Sequence, residues 1–185
     1  LHLEASDPTL THRLELIESS GTQLLGLIND LLEVSRIDAG HFALKEDDFD
    51  LTALLDRQAE LFALRAADKG LQFRLQLQLP RPCWVRGDAA RLRQVLNNLL
   101  GNAVKFTRTG QVSFRVDYAR EMARFEIEDT GPSMAPAELA QVFEPFVRGT
   151  AAGGNATTGT GLGLTIARML TGLMGGELTV RSTPG

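Results

Sequence analysis

The segment 88–105 constrains this chain more than any other, because it reads as one helix with two unlike sides. Leu92, Val95, Leu96, Leu99 and Ala103 recur at helical steps and form an apolar side that must lie against other structure. Arg91, Gln94, Asn98, Asn102 and Lys105 fall on the other side, with Gly101 between them. A solvated helix face is usually built from Glu and Lys, and amides are poor helix formers. Asparagine does offer a neutral oxygen to a hard cation such as Mg2+, and a nearby lysine neutralises phosphate charge. On this segment alone, a plain solvated face and a ligand site both stay open.

What flanks that helix sets the fold class. Upstream, Leu71, Phe73, Leu75, Leu77 and Leu79 alternate with Gln72, Arg74, Gln76 and Gln78, a strand with one buried face that Pro80 and Pro82 end. A helix is expected over 51–68, closed by Lys69-Gly70, with short strands at 42–44 and from Trp84-Val85. Downstream, 111–119 and 122–129 read as a hairpin turning at Arg120-Glu121, followed by a short helix over 135–142. Residues 148–160, rich in Gly, Ala, Thr and Asn, read as a mobile loop. A helix over 162–173, Gly175-Gly176 and a final strand over 177–182 complete the pattern. The expected fold is α+β, a two-layer sandwich of one mixed sheet with helices on one face.

Before all this lies a stretch of another kind. From Asp7 to Asp38 no proline follows Pro8, and Leu10, Leu14, Ile17, Gly21, Leu24, Ile28 and Leu31 form one seam along a helix of about nine turns. So long a heptad-like seam asks for partner helices, and Gly40 is its expected cap. With 185 residues, the chain divides into a helical region, 1–40, and one medium domain, 41–185. A net charge of −4 with scattered Lys and Arg argues against a nucleic-acid surface, so an anionic ligand must be held by local donors. The single cysteine, Cys83, excludes an internal disulfide, and no apolar run reaches the ~18–20 residues that span a bilayer. The first residues lack the features of a signal peptide, and the chain is expected to be a piece of something longer.

Two further segments resemble ligand sites without compelling one. Gly159-Thr160-Gly161-Leu162-Gly163-Leu164 opens a helix, where glycines let backbone N–H groups approach phosphate oxygens. It is neither a Walker loop, since no Gly-Lys-Ser/Thr follows, nor a dinucleotide fingerprint. Asp129-Thr130-Gly131-Pro132 leaves a strand, where a carboxylate accepts a hydrogen bond from an amino group such as that of adenine, or simply makes a turn.

The order of the pieces is more telling. Asn98-Leu99-Leu100-Gly101-Asn102-Ala103-Val104-Lys105-Phe106-Thr107, then Asp129-Thr130-Gly131, Phe143-Glu144-Pro145-Phe146 and Gly159 to Leu164 closely resemble the catalytic domain of sensor histidine kinases. They are similar to its N box, first glycine box, F box and second glycine box. Residues 24–32 through 38–40 resemble the second helix of the family's dimerisation bundle, so the resemblance covers nearly the whole chain.

This resemblance implies a set of roles. Asn102 would bind Mg2+ bridging the phosphates of ATP, with Asn98 beside the triphosphate, Lys105 on phosphate and Phe106 against the adenine pocket. Asp129 would accept the adenine amino hydrogen, and Gly131 would let the backbone approach the ring. Arg148 would meet the γ-phosphate, and Gly159, Thr160, Gly161, Leu162 and Gly163 would cradle the phosphates, with the loop between as an ATP lid. The reaction implied is transfer of the γ-phosphate to a histidine for relay to an aspartate of a response regulator or an attached receiver domain. A homodimer through the helical bundle is implied, as is a cytoplasmic region in a protein anchored in the bacterial inner membrane.

Two departures bear on this. The first glycine box usually reads Asp-x-Gly-x-Gly, and Ser133 occupies the second glycine position; a left-handed backbone there would cost ~1 kcal/mol or more. None of His2, His12 and His41 has the context of the family's acceptor, so the acceptor helix is expected to lie largely outside this chain, as is a last strand. Two rival readings follow: a degenerate regulatory module acting through dimerisation, and a hydrolytic ATPase. Against the second stands Asn98, where related ATPases carry a glutamate that activates water.

Overall fold

The computed structural model describes residues 8–147 and 160–183, apart from some side chains in the first helix. The chain separates into two compact units, Leu1–Phe42 and Ala43–Gly185. In the first unit α1 spans Pro8–Asp38. Gly40, at φ +69°, ends it, with the Gly40 and His41 N–H groups returning to Ile37 and Arg36 carbonyls at 3.0 Å. Leu10, Leu14, Ile17, Leu24, Ile28 and Leu31 of the seam are each 46–67% exposed, far more than apolar residues on a helix that packs within its own fold.

The second unit begins with β1 (Asp47–Asp50) and α2 (Leu51–Asp68). Asp50 ends the strand and caps the helix at once: its Oδ1 accepts the Thr52 N–H at 3.0 Å and the Cys83 N–H at 3.3 Å. β2 (Gln72–Gln78) and β3 (Trp84–Gly87) follow, then α3 (Ala89–Phe106). Asp88 caps α3, its Oδ1 accepting the Ala90 and Arg91 N–H groups at 3.1 and 3.0 Å. β4 (Gln111–Ala119) and β5 (Met122–Asp129) form the hairpin, turning through Arg120 and Glu121, whose φ values of 53° and 61° suit a two-residue turn. α4 (Pro136–Gln141) and α5 (Gly163–Leu173) complete the described elements.

The expected mixed sheet is formed by three strands, and among the described residues a second, two-stranded pair stands apart from it. β2 runs parallel to β4, which pairs antiparallel with β5, whereas β1 and β3 make a separate antiparallel pair. The strand expected at 42–44 lies instead at Asp47–Asp50, where it meets β3 in the register Asp50↔Trp84. Three aspartates in four positions hide it from any hydrophobic pattern. Residues 177–182 belong to neither sheet, because alternation makes a segment extended and only a hydrogen-bonded neighbour makes it a strand.

The core lies between α2, α3 and the three-stranded sheet. Leu51, Leu55 and Phe62 of α2 meet Leu96, Leu100 and Val104 of α3 and the alternating Val112, Phe114 and Val116 of β4. Each large side chain so buried contributes ~1.5–3 kcal/mol. α3 is turned slightly from expectation: Leu100 and Val104 are fully buried, while Leu92 and Leu99 are half-buried. The opposite edge of the helix is neither core nor open surface.

Candidate functional site

Along that edge, Arg91, Gln94, Asn98, Asn102 and Lys105 are all half-buried, which a solvated face would not be. Arg91 donates to Gln94 Oε1 at 2.7 Å. Asn98 Nδ2 donates to the Gly163 carbonyl at 3.0 Å, fastening the middle of α3 to the first turn of α5. One turn on stands Asn102, and at the end Lys105 Nζ lies 4.9 Å above the Phe106 ring centre.

At the C-terminal end of α3, the first glycine segment arrives. Thr107 is buried, and its hydroxyl donates to the Ala103 carbonyl at 2.7 Å while standing 3.4 Å from Asp129 Oδ1. The same Asp129 oxygen accepts the Gly131 N–H at 2.8 Å. A Cβ at position 131 would stand 2.6 Å from that oxygen and 3.3 Å from Thr107 Oγ1, so any side chain there would have to displace the Asp129 carboxylate. Ser133 is not among the described residues with positive φ, which besides glycines are Arg120, Glu121 and Phe146. The left-handed backbone that would strain that serine is not present.

At the middle of α3 lies the second glycine segment. Gly161 has φ +74°, its carbonyl accepts the Phe146 N–H at 3.1 Å, and a Cβ there would meet Phe146 backbone atoms at 2.9 Å. The Phe143 carbonyl accepts the Thr165 hydroxyl at 2.9 Å, and Arg168 lies 4.9 Å from the Phe143 ring centre. The F-box segment is thus bound to α5 by backbone and side chain together. Thr160 Oγ1 accepts the Leu162 N–H at 3.1 Å, and the Leu162 side chain is core, 1% exposed. Leu162 therefore offers a ligand backbone only. Arg148 and Gly159 lie outside the described residues.

Asn98 and Thr107 are separated by roughly 13 Å of helix at 1.5 Å per residue. Between the two glycine segments they receive, Asn102 and Lys105 present an amide and an ammonium. This is the arrangement an elongated ligand with an amino-bearing ring at one end and anionic groups at the other would need. Among the described residues no cluster of three or more His, Cys, Asp or Glu side chains is placed to hold a metal. A polar groove on the open face of the sheet, lined by Arg74, Gln76, Arg115 and Glu126 among others, belongs to a different surface. Its Arg115–Glu126 pair, 3.4 Å apart, is a solvated cross-strand contact. Two residues to which motif reading gave no role support the α3 edge: Thr107, through Asp129, and Lys69, whose Nζ reaches carbonyls 35 to 38 residues away. No local pattern signals the latter.

Comparison with known proteins places this geometry in context. Residues 87–185 match the family described as "Histidine kinase-, DNA gyrase B-, and HSP90-like ATPase". The chain is 40% identical over 174 residues to the aerobic respiration control sensor protein ArcB of Escherichia coli (strain K12), covering 93% of this chain and 22% of that protein. It is 37% identical to the sensor protein TorS of the same strain, covering 98% of this chain and 20% of TorS. Among solved structures, full-length ShkA in complex with AMPPNP superposes with a TM-score of 0.80 at 36% identity, covering 97% of this chain and 37% of ShkA. The chain thus spans about a fifth of the length of these curated relatives.

Proposed function

This chain belongs to the histidine kinase-, DNA gyrase B- and HSP90-like ATPase family, and on that premise we propose that it is the ATP-binding catalytic region of a sensor histidine kinase. The observation that carries this reading is the half-buried edge of α3 strung between Asp129 and Gly161–Gly163. Asp129 takes the adenine amino group, with Gly131 admitting the ring and Phe106 closing beside it. Lys105 and the Gly161–Gly163 backbone hold phosphates, joined by Thr160, Gly159 and Arg148. The nucleotide complex of ShkA supports a nucleotide here.

The donor set suits Mg2+ rather than a metal caged by protein. Mg2+ keeps several waters and binds through substrate phosphates with few protein oxygens, and the Asn102 amide oxygen supplies one. When bound, the ion neutralises phosphate charge. The chain's residues then position the triphosphate, which is most of what phosphoryl transfer requires. Asn98 has no proton-accepting carboxylate, and its amide is already engaged with Gly163. At position 98 an attacking water therefore finds no general base, and the γ-phosphoryl group passes to an imidazole nitrogen of an acceptor histidine, leaving ADP.

From there a response-regulator aspartate, on a separate protein or an attached receiver domain, accepts the phosphoryl group. The exposed seam of α1 pairs with a second copy in a homodimeric helical bundle. No described helix is long and apolar enough to cross a membrane. The test is calorimetric titration with ATP, with and without Mg2+, of the chain and of Asn102→Ala. Binding that Mg2+ strengthens in the chain and not in the variant is expected; equal, Mg2+-insensitive binding by both removes the metal assignment.

A further inference from the structure

Lys69 stands where two helices end. It is the C-cap residue of α2, its own N–H returning to the Ala66 carbonyl at 3.0 Å, and its side chain reaches across to the end of α3. There Nζ donates to the carbonyls of Val104, Lys105 and Thr107 at 2.6, 2.9 and 2.9 Å. An ammonium has three donors, and these three bonds use all of them. The last carbonyls of a helix have no intrahelical partner and carry the negative end of its dipole, so a cation there is favourable twice over. The Ala103 carbonyl is satisfied separately, by the N–H and hydroxyl of Thr107.

We propose that Lys69 is a positioning residue for the nucleotide site, acting through the backbone of the last turn of α3. The inference rests on the assignment of Asn102, Lys105 and Asp129 to a metal–nucleotide ligand. Three carbonyls can converge on one ammonium only if the peptide planes of 104, 105 and 107 keep fixed orientations. Those planes carry Lys105 toward phosphate and hold Thr107 beside Asp129. Removing the ammonium releases three carbonyls to water and frees Lys105 to turn away from its ligand. The core below is untouched, since Lys69 is itself an exposed residue.

The test compares Lys69→Met with Lys69→Arg and with Val116→Ala, a destabilising core change in β4. The dissociation constant for AMPPNP with Mg2+ is measured where all three are folded, alongside amide hydrogen exchange at 102–107 without nucleotide. Lys69→Met is expected to weaken binding about fivefold or more and to speed exchange at 102–107. Lys69→Arg, which keeps the charge and several donors, restores binding to within about twofold, and Val116→Ala leaves it unchanged. Should Lys69→Met fail to fold, Lys69→Gln is read in its place. Binding that stays within about twofold of the original in the folded, neutral variant overturns the inference alone. A chain that binds no nucleotide at all overturns it together with the assignment beneath it.

Discussion

The side-chain amide of Asn98 donates to the Gly163 carbonyl across 3.0 Å, joining two helices through residues 65 positions apart in the chain. The bond makes Asn98 a brace between the α3 edge and the glycine segment proposed to hold the phosphates. Asn98→Ala is therefore expected to cost ~1 kcal/mol of stability and to weaken nucleotide binding about tenfold. Denaturant unfolding and nucleotide titration measure the two effects separately; a variant unchanged in both would show the brace to be idle.

Gly161 and Gly163 differ sharply in what alanine would meet. At 161 a Cβ collides with Phe146 backbone at 2.9 Å on a left-handed residue, whereas at 163 it makes ordinary contact with Asn98 Cγ at 3.6 Å. Gly161→Ala should destabilise by ~1–3 kcal/mol, and Gly163→Ala should leave the melting temperature unchanged or slightly raised. Thermal melts of the two variants side by side decide this, and equal losses would contradict the packing described.

Asp88 sits in a setting with opposing effects. Burial pushes its carboxyl up, but the N–H groups of Lys45, Arg91 and Ala90, with the Arg91 charge, hold it below the usual value. Asp50 is also lowered, chiefly by the Thr52 hydroxyl. A depressed carboxyl stabilises the fold above its unfolded pKa of about 4, and that stability is lost as pH falls through the folded value. Stability measured from pH 6 down to about pH 2 should fall below about pH 4, and Asp88→Asn should flatten part of that fall. An acid limb identical in the variant would remove Asp88 from the account.

Cys83 is 3% exposed, and burial raises its thiol pKa. The thiolate is the reactive form, so a thiol reagent at neutral pH should label the native chain only as fast as the chain opens. Rapid stoichiometric labelling in buffer, compared with labelling in denaturant, would contradict the burial.

The parts legible in the sequence were those whose causes are local. α2 and α3 could be placed closely because Asp50 and Asp88 are side-chain caps at the starts of periodic runs. β2 showed itself by alternation, and the hairpin by its paired runs. What failed was tertiary. Whether 177–182 or 47–50 forms a ladder depends on a neighbour that no window of sequence contains. For the site, residue types and order were readable, but the Asn98–Gly163 bond, the Thr107–Asp129 approach and the reach of Lys69 join distant segments without a pattern of their own. Ser133 was legible only as a condition, a cost if its backbone were left-handed, and the structure settles that it is not.

The amide of Phe146 and the carbonyl of Gly161 clasp each other, so the two ends of the intervening stretch are pinned like the base of a noose. A substitution that broke this clasp would therefore uncouple the Phe143–Phe146 segment from the turn that opens α5, even with every side chain of the α2–α3 core left in place.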